Sequence, residues 1–489
     1  MKRYFLMLAC AALAFASCDE TKNSGTPDLG GNDPEDIVTP GKTPTASLTP
    51  DAQKTKIASV GEEILELCPS NDFEHLAQIG ENFSQFFEDA DYYDLSELEE
   101  WYYGEIEGAY NDSYNQSVKG STVTNTYKTA IIFYLANHTG LFTFGEDKVT
   151  VSNYKGTKAV FNLNDNNYEA EITTSGKVTD ALFVSKFYQT EKDCYEYYNE
   201  KTGEWVETSN PVDLIYNSET KVTVGVPEKV IIDLKENGSS LAKITVEFKT
   251  AFSKEGYKLT TDAFAVSYKA EINGYEIAVN NASYNGTTGN AEASCSLKKD
   301  GITIFKTFAA ANVKIAMNEK VYSDEYYEHS YTEVEVTKAD KISCGLDIMG
   351  QIQAVGTFTD VMKAQTLLDN LWEALDEGNE ASANNYIEEF NNMLNFGIYY
   401  DNGSNKQADI EFETVAYDDY YDTYYDMVPV LVFNDDARYA IEDFFTESAF
   451  GTLVDNFYAL VDSYSEVFAY FMPQDSELEP GYGGGEYYY

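Results

Sequence analysis

The pattern of apolar residues changes twice along the chain, and its first stretch has a helical period. Val60 and Ile64 belong to a series of apolar residues spaced three or four positions apart, which is typical of an amphipathic helix. Thr49 followed by Pro50 is a helix-start signal, because Thr caps the free N–H groups and Pro is tolerated at the first helical position. We therefore predict an N-terminal helical region over residues 49–120.

From residue 121 to residue 358 apolar and polar side chains alternate, which predicts strands with one dry face and one wet face. A clear example runs from Ile244 to Phe248. Asn-Gly and Asp-Gly pairs, the strongest local signals for tight hairpins, separate the runs. These pairs are Asn237-Gly238, Asn273-Gly274, Asn285-Gly286 and Asp300-Gly301. The pattern predicts an antiparallel meander of about ten strands.

The helical period returns in a C-terminal region that we place at residues 359–478. Two alternating runs, near 408–416 and 427–433, predict a short β insertion within it. We expect the Gly- and Tyr-rich tail, residues 479–489, to be disordered. The predicted fold class is α+β, in which a long antiparallel β-meander forms a curved sheet or half-barrel. The N- and C-terminal helices would cover its dry face and make one composite body.

The first twenty residues read MKRYFLMLACAALAFASCDE and form an export signal. Lys2 and Arg3 precede an apolar run that is too short to span a membrane, as in a signal peptide. Small residues then stand directly before Cys18, which resembles the lipobox of bacterial lipoproteins, although Phe15 replaces the more usual Leu. We predict a signal peptide over residues 1–17 and a lipid attached to Cys18. The alternative is an ordinary signal peptide with an incidental cysteine.

The resemblance to lipoproteins implies a membrane anchor and a location. In that family diacylglycerol is attached to the Cys thiol and the new amine is usually acylated, and two or three chains anchor durably at ~0.8 kcal/mol per buried CH₂. Asp19 and Glu20 resemble the export signal of Bacteroidota surface lipoproteins, which implies the outer membrane and outward display. In other bacteria an Asp at that place resembles an inner-membrane retention signal. Residues 18–48, Cys18 and a Gly- and Pro-rich tether, would reach roughly 30 Å.

The charge of the chain excludes one class of partner. The 489 residues contain 33 basic and 83 acidic side chains, a net charge of −50, and loss of residues 1–17 removes two basic residues and makes it −52. Such a surface repels polyanions, so we expect no nucleic-acid partner. The arginines are Arg3 and Arg438, which leaves no arginine cluster to bind phosphate.

Motifs of known chemistry are few. His75, His138 and His329 stand apart, without the spacing of metal ligands, so we predict no metal site and no cofactor. We find no nucleophile elbow and no phosphate loop, and we predict no catalytic residues. A carboxylate-dependent hydrolase is the alternative, although acids are too abundant here for their pairing to decide. Cys295 and Cys344 alternate with apolar residues, so they are either buried thiols on the dry face or a disulfide.

The most distinctive local pattern combines tyrosine with acid. Residues 417–426 read YDDYYDTYYD, with shorter echoes at 91–94, 195–198 and 324–328. Tyr offers an apolar ring and a polar tip, which with Asp suits sugar rings and their hydroxyls. Oxygen ligands for Ca²⁺ and a merely solvated loop are the alternatives. The predicted ligand-binding residues are Tyr420, Tyr421, Tyr424, Tyr425, Asp418, Asp419, Asp422 and Asp426.

These observations favour a non-enzymatic lipoprotein displayed at the cell surface as a binding module. A glycan or a surface protein complex is the expected partner, besides the membrane that holds the anchor. Structural or adhesive and lipid-binding roles stay open. Lipid binding requires that helices leave the concave face of the sheet unfilled.

We expect replacement of Cys18 by Ser to abolish incorporation of a clickable palmitate analogue, because the thiol and the cleaved amine are the acylation points. In-gel fluorescence after metabolic labelling measures this. Equal label in wild type and Cys18→Ser, or no label in either, would contradict the anchor.

Overall fold

The computed structural model describes the body of the chain. The described residues are 48–88, 94–145, 147–163, 166–323, 327–403, 405–418, 423–434 and 437–468. The predicted signal peptide, Cys18, nearly all of the tether and the tail at 479–489 lie outside the described residues.

Three helices begin the described chain. They are α1 (Pro50–Leu67), α2 (Glu74–Glu88) and α3 (Ser96–Ala109). The predicted start of α1 is confirmed, since Pro50 takes the first helical position and the Thr49 hydroxyl accepts a hydrogen bond of 3.3 Å from the Ala52 N–H. The β region starts at Tyr110, earlier than the predicted residue 121. The first strand is polar and almost fully exposed, so it lacks the alternation that reveals strands with a buried face.

Eighteen strands of the described residues form one sheet. They are β1 (Tyr110–Lys119), β2 (Thr122–Tyr134), β3 (Gly140–Phe144), β4 (Val149–Ser152), β5 (Thr157–Leu163), β6 (Asn166–Asn199), β7 (Glu204–Glu236), β8 (Ser239–Ala251), β9 (Ala263–Ile272), β10 (Tyr275–Asn285), β11 (Asn290–Lys299), β12 (Ile302–Ser323), β13 (Tyr327–Ile348), β14 (Ile352–Thr359), β15 (Leu394–Tyr400), β16 (Ala408–Asp418), β17 (Thr423–Val432) and β18 (Arg438–Ala440). From β5 to β18 each strand pairs antiparallel with the next, so the predicted long meander is confirmed.

Two features depart from a simple meander. The β2–β7 and β3–β5 pairs are parallel, and the β2–β7 pair joins strands distant in sequence. The start of β13, from Tyr327 to His329, pairs with residues 189–191 of β6 and closes the strands from β6 to β13 into a circuit.

Three predicted tight turns are confirmed. In the pairs Asn237-Gly238, Asn273-Gly274 and Asp300-Gly301 both residues have positive φ, the conformation of a two-residue type I′ hairpin. The fourth pair behaves differently, because Asn285 ends β10 and the chain turns through Gly289, whose φ is 83°.

Four described helices follow β14. They are α4 (Val361–Asp376), α5 (Glu380–Met393), α6 (Ile441–Phe444) and α7 (Glu447–Phe468). The β insertion contains four strands, β15 to β18, where two were predicted. Residues 394–400 lie outside both of the alternating runs from which strands were predicted. They form β15, and a Cβ at Gly397 would lie 2.3 Å from Cε of Lys406, so the strand needs glycine there.

One continuous face of the sheet is apolar, and helices from both ends of the chain pack on it. Residues paired in register lie on the same face of the sheet. The series of apolar pairs on this face runs from Ile244 on β8 to Leu431 on β17. Helix α2 and Leu460 of α7 pack near Tyr168, while α4 and α5 pack over Met427. The predicted covering of a dry face by terminal helices is thereby confirmed.

Replacing the fully buried Leu371 of α4 by Ala should lower the unfolding free energy by about 2–5 kcal/mol, because it opens a cavity under the helix. Met362 on the same helix is 43% exposed, and its replacement by Ala should change the free energy by no more than about 0.5 kcal/mol. Urea denaturation measures both values. Similar losses for the two variants would contradict this packing.

Candidate ligand-binding surface

Four strands form an extension that we call the arm: β1, β2, residues 213–227 of β7 and residues 178–191 of β6. Their order is β1–β2–β7–β6, with the parallel β2–β7 pair in the middle. Tyr114, Tyr127, Ser218 and Phe187 are successive register partners across these strands. Partners in register project to the same side, and we call this side the arm face.

The arm face continues the dry face of the body. Ile232 of β7 lies on the dry face, and Val224 and Val222 follow it at even positions of the same strand. On the arm the large side chains of this face stay exposed. Phe133 is 42% exposed, and Phe183 and Phe187 are 43% exposed each. Several large apolar side chains exposed on one face make that face a candidate interaction site.

Residues 192–212, which we call the tip, form the end of the β6–β7 hairpin and fold back over the end of the arm face. Val212 and Tyr197 of the tip pack in one cluster with Val123 of β2. The buried amide of Gln116 donates a hydrogen bond of 3.1 Å from Nε2 to the Tyr198 carbonyl oxygen. The tip is therefore anchored both by apolar contacts and by a hydrogen bond.

Two aromatic pairs flank this junction. The rings of Tyr114 and Tyr127 lie 4.7 Å apart on the arm face, and the rings of Tyr198 and Trp205 lie 5.7 Å apart on the tip. Trp205 is 68% exposed, the largest exposed fraction among the large apolar side chains of the described residues. Two faces of the molecule thus present aromatic rings to solvent within a short stretch of structure.

Polar groups lie among these rings. The Tyr114 hydroxyl donates a hydrogen bond of 2.9 Å to Oδ1 of Asn125, a nearly buried amide. Burial, and then the nearby Tyr127 and Glu200, raise the pKa of Tyr114 to about 12, so its hydroxyl stays protonated at physiological pH. The buried Gln116 Oε1 has no hydrogen-bond partner among the described residues. Aromatic rings can stack on sugar rings, and neutral hydroxyl groups can form hydrogen bonds with sugar hydroxyls.

The predicted site at 417–426 is only partly described. Tyr420, Tyr421, Asp419 and Asp422 lie outside the described residues. Asp418 ends β16 and Tyr424 lies on β17, and the structure does not describe their side chains.

The two described members of that site face opposite ways. Tyr425 packs against the cluster that contains Leu371, and its hydroxyl donates to Oε2 of Glu380 at 3.3 Å. The neighbouring Asp426 is exposed, and its carboxylate accepts a hydrogen bond of 2.8 Å from the Met427 N–H. Consecutive strand residues point to opposite faces, so the structure does not bring this pair together.

An echo of the Tyr-acid pattern lies on the tip instead. Residues 195–198 include Tyr195, 62% exposed, and Tyr198, which pairs with Trp205. Sequence reasoning noted the echo and missed Tyr114, Tyr127 and Trp205. A usable signal existed for the first pair, since Tyr114 and Tyr127 are equally far from the turn that joins Lys119 to Thr122.

Isolated histidines and a buried acid complete the chemical groups. His75 contacts Glu236 at 2.9 Å and His138 contacts Glu105, in separate parts of the fold. Among the described carboxyl groups, Asp409 has a pKa raised by burial, and it is already paired with Nζ of the buried Lys406 at 2.7 Å.

A polar cleft of about 450 Å³ lies between α5 and β16. Arg438 lines it and is paired with Glu411 at 2.7 Å and with Glu413. Its charge is therefore already neutralised within the protein.

The described residues contain no cluster of three or more His, Cys, Asp or Glu able to hold a metal ion. No helix in the described part of the chain has the length and apolar character needed to span a membrane. Comparison with known proteins finds no family model, no curated protein and no solved structure that matches this chain.

The Cys295–Cys344 disulfide is not realised, and the described cysteines are free thiols. Cys295 lies on β11 and Cys344 on β13, so β12 runs between them. Two strand spacings amount to about 9.5 Å, beyond the Cα–Cα reach of a disulfide. Cys344 is buried as the dry-face interpretation predicted, whereas Cys295 is half-buried.

Burial raises the pKa of the Cys344 thiol to about 12, so we expect it to resist alkylation by iodoacetamide at pH 8 in the native protein. After denaturation without reductant, Cys68, Cys194, Cys295 and Cys344 should all react, as peptide mass spectrometry would show. A requirement for reductant at Cys295 and Cys344 would contradict the separation of these strands.

Proposed function

We propose that this protein is a lipid-anchored, non-enzymatic binding module of the bacterial cell surface, and that the arm face with the tip binds glycans. The observation that carries the proposal is the group of partly exposed aromatic rings on the arm face, where Tyr114, Tyr127, Phe133, Phe183 and Phe187 are 37–43% exposed. A face of this kind is costly to leave in water, which favours a role in binding.

The chemical composition of the surface favours glycans among possible ligands. Sugar rings combine apolar faces with hydroxyls, and they match the exposed rings of Tyr114 and Tyr127 and the neutral Tyr114 hydroxyl. Binding by such a surface needs no catalytic group, in keeping with a non-enzymatic role.

The proposed lipid anchor would determine where this surface lies in the cell. A lipid on Cys18 and the tether up to residue 48 would hold the body near the outer membrane and facing outward. We propose that the arm then captures polysaccharide outside the cell. The net charge of −52 after signal removal would keep the body soluble beside an anionic membrane.

Replacing Tyr127 or Tyr114 by Ala should weaken retention on a polysaccharide gel by about three- to tenfold, the equivalent of ~0.7–1.4 kcal/mol, because each change removes a ring for stacking. Affinity electrophoresis of the mature chain on polymers identified by a glycan array measures this. The matched control is Tyr425→Ala, which removes a ring packed beneath α4 and α5.

The control should lower stability and leave retention within about twofold of wild type. Loss of retention in Tyr425→Ala alone would move the site back to the 417–426 segment. Retention of none of the array polymers by wild type would refute glycan binding.

A further inference from the structure

The two sides of the arm differ in charge. Its four strand segments contain Lys119, Lys128, Lys186 and Lys221, and the register places all four on the side opposite the arm face. There Lys128, Lys186 and Lys221 lie near Glu219, whose carboxylate is 2.8 Å from Lys221 Nζ and 3.8 Å from Lys186 Nζ. The lysines of the arm are thus turned away from the proposed binding surface.

The arm face itself carries no cationic side chain within these described strands. Its charged residues are Asp112, which pairs in register with Thr129, and Glu191, which pairs in register with Leu214. Glu200 of the tip acts electrostatically on Tyr114 and Tyr127. Both charges of the arm face are negative, and Lys201 follows Glu200 on the tip. The remaining polar residues of the arm face, besides its tyrosines, are neutral: Gln116, Asn125, Thr129, Thr179, Ser185, Gln189, Ser218 and Thr220.

The aromatic side chains extend over more than one site for a sugar ring. Tyr127 and Phe187 flank Ser218 in one row across the strands, about 10 Å apart at a strand spacing of about 4.8 Å. Phe183 lies four residues before Phe187 on the same face of β6, about 13 Å along the strand. One pyranose ring is shorter than either separation.

We infer that the ligand of the arm face is an uncharged polysaccharide, bound along its chain rather than at its end. This inference rests on the proposed glycan-binding function and names the class of glycan. A carboxylated or sulfated polymer would find no Lys or Arg on the arm face to pair with its anions, and the carboxylates of Asp112 and Glu191 would repel it. A neutral chain needs only ring stacking and hydrogen bonds to amides and hydroxyls.

The test uses matched polymers that differ only in charge. We would measure affinity electrophoresis of the full mature chain with Cys18→Ser, which leaves out only the lipid, at low ionic strength where charge effects are strongest. The pairs are dextran with carboxymethyl-dextran and hydroxyethyl-cellulose with carboxymethyl-cellulose, extended to any neutral polymer that the array identifies and its carboxymethyl derivative. We expect at least tenfold stronger retention by the neutral member of a pair.

Variants locate the effect on the arm face. Phe187→Ala should weaken retention by the neutral polymer at least threefold, whereas Lys186→Ala, the adjacent residue on the opposite side, should leave it unchanged. Ser218→Lys places a cation in the centre of the face and should raise retention by the carboxymethyl polymer about tenfold.

The outcomes separate this inference from the function it rests on. Equal or stronger retention by the carboxymethyl polymer, reduced by Phe187→Ala, would overturn the uncharged class and keep glycan binding. Equal losses in Phe187→Ala and Lys186→Ala would overturn binding by this face. Retention of no polymer by wild type would remove the glycan-binding function and this inference with it.

Discussion

The structure depends on one continuous apolar face of the sheet. Each strand contributes alternate residues to it, and a slip of one residue in any register would turn a whole strand's apolar set toward water. Burial at roughly 25 cal/mol per Å² makes such a slip costly over many strands. The tight turns at Asn237-Gly238, Asn273-Gly274 and Asp300-Gly301 hold the registers in the middle of the meander. Helices from both chain ends pack on this side of the sheet, and the buried Lys299 on it is paired with Asp72 at 2.7 Å.

Charge imposes a second constraint, since the chain carries 83 acidic and 33 basic side chains. On the wet face of the central strands, lysines alternate with acids across the ladder, as in Lys229–Glu247 at 2.8 Å and Lys298–Glu276 at 2.7 Å. Each exposed pair contributes little, about 0–1 kcal/mol. Their arrangement matters more, because acids directly opposite one another on neighbouring strands would repel. The scarce lysines are thus placed where strand pairing brings side chains closest.

The architecture was predictable from the sequence, while the binding surface was predictable only in fragments. Period-two alternation identifies strands with a buried face, so β8 or β9 could be recognised locally, whereas the polar and exposed β1 could not. A Tyr-acid pattern in the sequence does not show to which side of a strand each side chain points. The Tyr425 side chain points into the contact with α4 and α5. The arm face needs the parallel pairing of β2 with β7, whose partners lie about ninety residues apart, and no local pattern specifies such a long-range register.

An exposed aromatic face beside an open strand edge would normally promote association between copies of a protein. Here the large negative charge opposes it, because two copies of the chain repel each other before their arms can meet. The same repulsion does not act on an uncharged ligand. The negative charge that opposes association between copies would therefore also repel anionic ligands from the arm. Solubility and the proposed selectivity would therefore have one physical origin, the excess of carboxylates around a face whose described strands carry no lysine.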